Sequence, residues 1–146
     1  MSTPTAEVGT ELPAYDVPSV SAEKMKTMAA LLNDPTPIHW DVTTLRALGM
    51  GDRPVNQGPL NMGYVMNAVT AWAGGPQSLR RLRVRFLGTV LAGQHLRVRG
   101  TVSGLREEDG VRLADCDVVL EVVGGDPGGR AGGDTVVSGT ATVVLP

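Results

Sequence analysis

The sequence predicts an α+β fold in which an antiparallel sheet wraps around one central, buried helix. Two observations predict it. Residues 59–73 form a long, uncharged and largely apolar stretch, and about four strand-like segments follow it. A sheet with one apolar face must be covered by another element. The stretch 59–73 is the only segment long and apolar enough to cover it.

An amphipathic helix is predicted to begin after Ser21 and to stop near Asn33. Serine is a favourable N-cap. Asp34 precedes Pro35, and a residue before proline is pushed out of the α region. The apolar stripe of this helix, at helical spacing, consists of Met25, Met28, Ala29 and Leu32.

The central helix is predicted over residues 59–73. Pro59 suits the first helical position and follows Gly58. Because apolar residues surround this helix on nearly all sides and no charged residue interrupts it, we expect it to be buried.

Alternation of apolar and polar residues, or enrichment in β-branched residues, predicts the strands that follow. An earlier segment, 11–19, contains two prolines and is expected to be an edge strand. Residues 1–10 are expected to be a loose tail, and the glycine-rich stretch 124–134 a mobile loop. The later strands are expected over 79–86, 95–102, 111–123 and 135–145.

These elements, taken as one domain over residues 1–146, describe a hot-dog fold: an antiparallel sheet wrapped around one central helix. The formal net charge of -2 gives no support for a nucleic-acid-binding face. No apolar run approaches the length of a membrane helix, and the first residues lack the pattern of a signal peptide. We therefore expect a cytoplasmic protein.

Metal binding is not expected. Cys116 is the single cysteine, and the two histidines, His39 and His95, are too far apart in sequence to suggest a ligand set. A single cysteine also excludes an intrachain disulfide, which agrees with a reducing compartment.

Asp34 and His39 flank a stiff Pro-Thr-Pro-Ile segment. Prolines restrict the backbone, so such a loop loses less entropy when it orders. An acid and an imidazole that converge on one cavity suit the hydration of an activated alkene, in which one group takes a proton from water and another delivers one to the α-carbon. On spacing alone, a helix-ending turn with a surface histidine is the simpler interpretation.

Three segments resemble one known family, in the same order along the chain. The segment NDPTPIHWD is similar to the signature of MaoC-like (R)-specific enoyl-CoA hydratases. PVNQGPLNMG resembles the family segment that opens the central helix, and VRFLGTVLAGQHL resembles its Arg-Phe strand, glycine turn and second strand. Together the three cover roughly residues 20–100.

This resemblance implies a hydratase/dehydratase that interconverts a 2-enoyl-CoA and a 3-hydroxyacyl-CoA, with Asp34 and His39 as the catalytic pair. It also implies that the backbone N–H of Gly58 binds the thioester oxygen. The N-terminus of a helix suits this role, because its free amides and the positive end of its dipole favour negative charge. Gln57 and Asn61 are further candidates for oxyanion or substrate binding, and helix capping or packing is the alternative role for Asn61. No cofactor is expected, because CoA is part of the substrate and the thioester itself acidifies the α-position.

The chain departs from the family pattern at three positions. Asn33 replaces the usual glycine, Thr36 replaces the usual asparagine before Pro37, and Gln57 stands where histidine is common. The stretch VNQGPLNMGYVMNAVTAWAG also resembles the small subunit of actinobacterial heteromeric enoyl-CoA hydratases that act on steroid side chains. This implies a bulky acyl-CoA substrate and either a homodimer or a heteromer with a second MaoC-like chain.

Two alternatives remain open. A hot-dog acyl-CoA thioesterase usually carries a carboxylate on or near the central helix, and residues 59–73 have none. A non-catalytic acyl-CoA-binding subunit of a heteromeric hydratase would not need Asp34 and His39, and both are present.

Other polar residues are interpreted more simply. His95 is expected at the surface without an acidic partner, and Cys116 in the core. Five arginines are expected on one face of two strands, as a solvated face or a dimer contact, with CoA phosphates as the alternative ligand. They are Arg81, Arg83, Arg85, Arg97 and Arg99.

Overall fold

A computed structural model describes residues 5–124 and 134–146. Its sheet has five antiparallel strands in the order β1-β3-β4-β5-β2. Single 3-10 turns lie at Pro37–His39 and Pro76–Ser78. The helices are α1 (Ala22–Leu32), α2 (Val42–Ala47) and α3 (Gly58–Ala73); the strands are β1 (Tyr15–Val17), β2 (Leu79–Phe86), β3 (Leu96–Glu108), β4 (Val111–Val122) and β5 (Thr135–Val144).

Helix α1 begins and ends where the sequence predicts. The hydroxyl of Ser21 accepts a hydrogen bond from the amide of Lys24. At the other end, Asn33 adopts the left-handed conformation with φ of 51°. Only glycine and, less readily, asparagine or aspartate adopt this conformation at low cost. Asparagine in place of the family's usual glycine is therefore compatible with this helix end.

Helix α3 packs on the sheet and contacts all five strands. Val65 and Val69 are fully buried there. Asn67 and Ala71 lie on the other side of α3 and are exposed in the single chain. The sheet therefore covers one side of the helix, and the uncharged opposite side is left open.

The edge strand β2 pairs only with β5 among the described strands, so one side of its backbone is open. The two strands approach each other very closely at Gly139, which pairs with Val84. A Cβ atom at position 139 would lie 2.0 Å from the carbonyl oxygen of Arg83, so only glycine fits.

The segment before β1 differs from the predicted loose tail. Ala6 and Leu12 are buried. The amide of Gly9 donates to the carbonyl of Val102, whose own amide donates to the carbonyl of Thr10, both over 2.8 Å. Residues 6–10 are therefore bound to β3, because the backbone of β3 beyond the short β1 has hydrogen-bonding groups to satisfy. The glycine-rich loop, apart from Gly124 and Asp134, and residues 1–4 lie outside the described residues.

Among the described residues, the core consists mainly of valine, leucine and alanine from the sheet and α3. The thiol of Cys116 is completely buried in it, and burial raises the pKa of this thiol to about 11. No helix in residues 5–124 and 134–146 is long and apolar enough to cross a membrane.

Candidate active site

Asp34 follows directly after the left-handed residue that ends α1. The amide of Asp34 donates to the carbonyl of Ala29 over 2.9 Å, and the amide of Asn33 donates to the carbonyl of Ala30 over 3.2 Å. These bonds close the last turn of the helix. The position of the Asp34 backbone is thereby set by the end of α1 rather than by the loop alone.

The carboxylate of Asp34 is held by Thr36. Oδ1 of Asp34 accepts hydrogen bonds from the hydroxyl of Thr36 over 2.5 Å and from its amide over 3.0 Å. The hydroxyl bond first, then the amide bond and the nearby His39, lower the pKa of Asp34 below its ordinary value. Asp34 is therefore ionised at neutral pH, and threonine holds the carboxylate at the position where the family usually has asparagine.

His39 ends the 3-10 turn and is fixed by Val55. Its Nδ1 lies 2.6 Å from the carbonyl oxygen of Val55. A carbonyl oxygen can only accept, so Nδ1 carries the proton, and in the neutral imidazole the lone pair is on Nε2. The amide of Val55 donates in turn to the carbonyl of Ile38 over 2.9 Å, which ties the turn to the strand-like segment before α3.

The structure brings Asp34 and His39 together, which agrees with the pairing that the family resemblance implies. Nε2 of His39 lies 3.7 Å from Oδ2 of Asp34. The side chain of His39 is 12% exposed and that of Asp34 is 33% exposed. At this separation a single oxygen atom can lie within hydrogen-bonding distance of both groups. The pair can therefore hold a small hydroxylic molecule and exchange a proton with it.

Gly58 is the first residue of α3, three positions after Val55. Its amide has no acceptor in the described part of the chain. The ring of Phe86 covers the side of Gly58 where a side chain would start, since a Cβ atom there would lie 3.2 Å from the ring. A free amide at the positive end of a helix can stabilise a developing negative charge.

Gln57 and Asn61 are both buried beside this helix end, and they point in different directions. The amide nitrogen of Gln57 donates to the carbonyl of Met25 in α1 over 2.8 Å. Oδ1 of Asn61 accepts from Nδ2 of Asn56 over 2.7 Å. Gln57 therefore joins α3 to α1, whereas Asn61 lies in the first turn of α3 beside Gly58.

Two residues that hold the site were not singled out from the sequence. Val55 acts through its backbone carbonyl, which any residue has, so no side-chain pattern could indicate it. Asn56 lies in a stretch that reads as an ordinary polar loop. A clue was available for Asn56 alone: it is a polar residue just before an apolar helix predicted to be buried.

A groove of about 360 Å³ opens beside Asp34. Its walls come from α1 and from the loop, and they include Ala29, Pro35 and the half-exposed ring of Trp40. Lys26 also lines the groove. The carboxylate of Asp34 is thus reached from a largely apolar surface.

The five arginines do not form one cluster, because β4 and β5 separate β2 from β3 in the sheet. On β3, Arg97 pairs with Asp16 at 2.7 Å and Arg99 pairs with Glu121 at 2.5 Å. On β2, three arginines lie opposite hydroxyl residues of β5: Arg81 opposite Thr142, Arg83 opposite Thr140 and Arg85 opposite Ser138.

His95 has an acidic neighbour, which the sequence did not lead us to expect. Its Nε2 lies 3.4 Å from Oδ1 of Asp16. Sequence spacing could not indicate this contact, because Asp16 reaches His95 only through the pairing of β1 with β3.

No three His, Cys, Asp or Glu side chains among the described residues are grouped so that they could hold a metal ion. The candidate site consists of a carboxylate, an imidazole and a helix amide. Along the chain these groups follow one another as Asp34, His39 and Gly58, which is the order of the family segments. A family model for the MaoC like domain matches residues 4–123. The chain belongs to the MaoC-like domain family.

Solved structures resemble this MaoC-like chain over nearly its whole length. An (R)-hydratase from A. caviae involved in PHA biosynthesis has a TM-score of 0.80 at 22% identity, with 98% of this chain and 99% of that chain covered. The ChsH1-ChsH2 complex from Mycobacterium tuberculosis contains a chain with a TM-score of 0.75 at 20% identity, with 97% and 100% covered.

R-hydratase PhaJ1 from Pseudomonas aeruginosa gives a TM-score of 0.72 at 21% identity, with 97% of the MaoC-like chain and 83% of the relative covered. No protein among the curated sequences matches. At these identities the solved structures show a shared fold, and the hot-dog fold predicted from the sequence is confirmed.

Proposed function

We propose that the chain is a hydratase that reversibly adds water across the double bond of a 2-enoyl-CoA to give a 3-hydroxyacyl-CoA. The observation that carries this proposal is the pairing of His39 Nε2 with Asp34 Oδ2 at 3.7 Å, beside a helix that begins with the free amide of Gly58. Membership of the MaoC-like family supports hydratase or dehydratase chemistry.

In the hydration direction, a water molecule lies between His39 and Asp34. Nε2 of His39 takes one proton from this water, and the water oxygen forms a bond to the β-carbon of the enoyl group. The π electrons move toward the thioester and give an enolate. The α-carbon then receives a proton from the His39–Asp34 pair, so that one water molecule has been added and both side chains return to their starting states.

The amide of Gly58 donates to the thioester oxygen, which becomes negative in the enolate. The donor is fixed before the reaction and carries the positive end of the dipole of α3, so it needs no rearrangement as the charge develops. The thioester itself makes the α-proton acidic, and the reaction therefore proceeds without a further cofactor.

The chain is also proposed to act together with a second MaoC-like chain, as a homodimer or a heteromer. The open edge of β2 and the exposed, uncharged side of α3 support this proposal. Unpaired strand edges are common sites of association, and an uncharged surface can be buried without the cost of removing a charge from water. The ChsH1-ChsH2 assembly shows that a chain of this fold can pair with another chain.

The test is to purify the chain alone and together with candidate MaoC-like partner chains, and to follow the loss of enoyl absorbance with crotonyl-CoA and octenoyl-CoA. We expect hydration without release of free thiol. Thiol release would instead identify a thioesterase. Binding of the CoA esters with no turnover in any pairing would identify a non-catalytic subunit and contradict the proposal.

A further inference from the structure

The N-terminus of α3 offers one free backbone donor rather than several. A helix normally begins with up to four unpaired N–H groups. Here Pro59 has no N–H, and the amides of Leu60 and Asn61 both donate to the carbonyl of Gln57, over 3.1 and 3.2 Å. Gly58 is therefore the only residue of the first turn whose amide can reach a substrate oxygen. Any second donor at this end must come from a side chain.

Asn61 has a donor in a suitable position. It is 3% exposed, and it lies three residues after Gly58, so the two residues share one face of the helix. Its Oδ1 is occupied, because it accepts the hydrogen bond from Asn56. Its Nδ2 has no acceptor in the described part of the chain. The side-chain amide of Asn61 therefore has a free nitrogen, whereas its oxygen is bound to Asn56.

Asn56 is itself held in place. It is 4% exposed, and its backbone amide donates to the carbonyl of Val90 over 2.7 Å. Its Nδ2 lies 3.5 Å from the hydroxyl of Tyr64 as well as 2.7 Å from Asn61. If the Asn56 amide turned over, two carbonyl oxygens would face each other across the bond to Asn61. The orientation of one amide therefore depends on that of the other.

We propose that Asn56 is a positioning residue for the reaction. By donating to Oδ1 of Asn61, it orients the Asn61 amide so that Nδ2 becomes the second donor to the thioester oxygen, beside the amide of Gly58. This inference rests on the proposed hydratase function and adds to it a residue that does not touch the substrate.

The decisive variant is Asn56→Asp, which keeps the size of the side chain and replaces its donor with an acceptor. The carboxylate at position 56 takes a hydrogen bond from Nδ2 of Asn61, so the Asn61 amide turns and presents its oxygen to the substrate. We expect kcat for crotonyl-CoA to fall about 100-fold, as when an oxyanion donor is lost. Asn61→Asp, which keeps the bond from Asn56 but removes Nδ2, should lower kcat similarly.

A binding measurement separates this role from a general loss of structure. Butyryl-CoA has the thioester oxygen, whereas the thioether S-butyl-CoA lacks it. Asn56→Asp should weaken the binding of butyryl-CoA and leave that of S-butyl-CoA unchanged. If the aspartate variant does not fold, Asn56→Leu removes the orienting bond without a buried charge, and it should show the same difference with a smaller fall in kcat.

Gln77→Glu is the matched control. It also replaces a side-chain amide with a carboxylate, but Gln77 follows α3, is exposed and donates to the carbonyl of Gly74 rather than to Asn56 or Asn61. The activity of this variant should equal that of the wild type. A folded Asn56→Asp or Asn56→Leu variant with wild-type kcat, or with equal loss of both CoA compounds, overturns the inference. A wild-type chain without hydration activity in any pairing overturns the proposed function instead.

Discussion

Val55 is hydrogen-bonded both to the ring of His39 and to the backbone of the residue before it. Nδ1 of His39 donates to the carbonyl of Val55, and the amide of Val55 donates to the carbonyl of Ile38, the residue before the histidine. One residue thus fixes both the ring and the backbone that carries it. Because Val55 is close to the start of α3, the same contacts set the position of the imidazole relative to the helix amide.

Loss of either member of the pair should abolish most turnover. We expect Asp34→Asn and His39→Gln each to lower kcat by about 100-fold to 10,000-fold, because each removes a proton-exchanging group. The melting temperature should change little. Asp16→Asn and His95→Gln make the same substitutions in the other Asp–His pair, which joins the edge strand β1 to the residue just before β3. These two variants should stay fully active, and near-full activity of the Asp34 and His39 variants would make the catalytic assignment wrong.

The amide of Gly58 can be tested by removing its hydrogen. Gly58→Pro has no N–H, and the residue before it, Gln57, has φ of -67° and ψ of 145°, which suits a position before proline. Gly58→Ala is the matched control, since it adds a Cβ against Phe86 but keeps the N–H. We expect kcat of the proline variant to be about 100-fold to 1,000-fold below that of the alanine variant. Equal rates in two folded variants would exclude the amide as the oxyanion donor.

Thr36 should control the protonation of Asp34. In Thr36→Val the hydroxyl bond is lost, so the pKa of Asp34 should rise toward its ordinary value, whereas Thr36→Ser keeps the bond and should keep the low pKa. A lowered folded-state pKa stabilises the protein above the unfolded-state pKa, and this contribution is lost as pH falls through the folded-state pKa.

The Thr36→Val variant should therefore be less stable than Thr36→Ser near neutral pH, and the difference should shrink in acid. Carboxyl NMR titration and urea unfolding at several pH values measure both effects. An unchanged Asp34 titration in Thr36→Val would show that the hydroxyl does not control this carboxyl.

The left-handed conformation of Asn33 predicts the effect of substitutions at the end of α1. Asn33→Gly should be as stable as the wild type or slightly more stable, because glycine adopts positive φ without strain. Asn33→Ala should lose about 1 kcal/mol of unfolding free energy. Urea denaturation measures the difference, and equal stability of the alanine and wild-type proteins would contradict it.

The spacing and clustering of apolar residues were enough to predict α1, α3 and the four long strands, because burial restricts where apolar residues can lie. Strand β3 nevertheless extends to Glu108, beyond its predicted end at residue 102. Periodicity did not indicate the site: the resemblance to the family, rather than spacing, pointed to Asp34 and His39 on one loop. The packing of Ala6 against the sheet was missed, because a small residue in a polar stretch carries little hydrophobic signal. The contacts of Val55 and of Asp16 were missed for another reason: they depend on pairings between distant segments, which local patterns do not encode.

The composition of α3 has a consequence for how this chain can be studied. From Gly58 to Ala73 the helix contains no acidic, basic or histidine side chain, and its one tyrosine, Tyr64, has a pKa raised above its ordinary value mainly by burial. The helix therefore keeps a constant charge over the pH range in which Asp34 gains and loses its proton. A change of the rate with pH should then not arise from the helix itself.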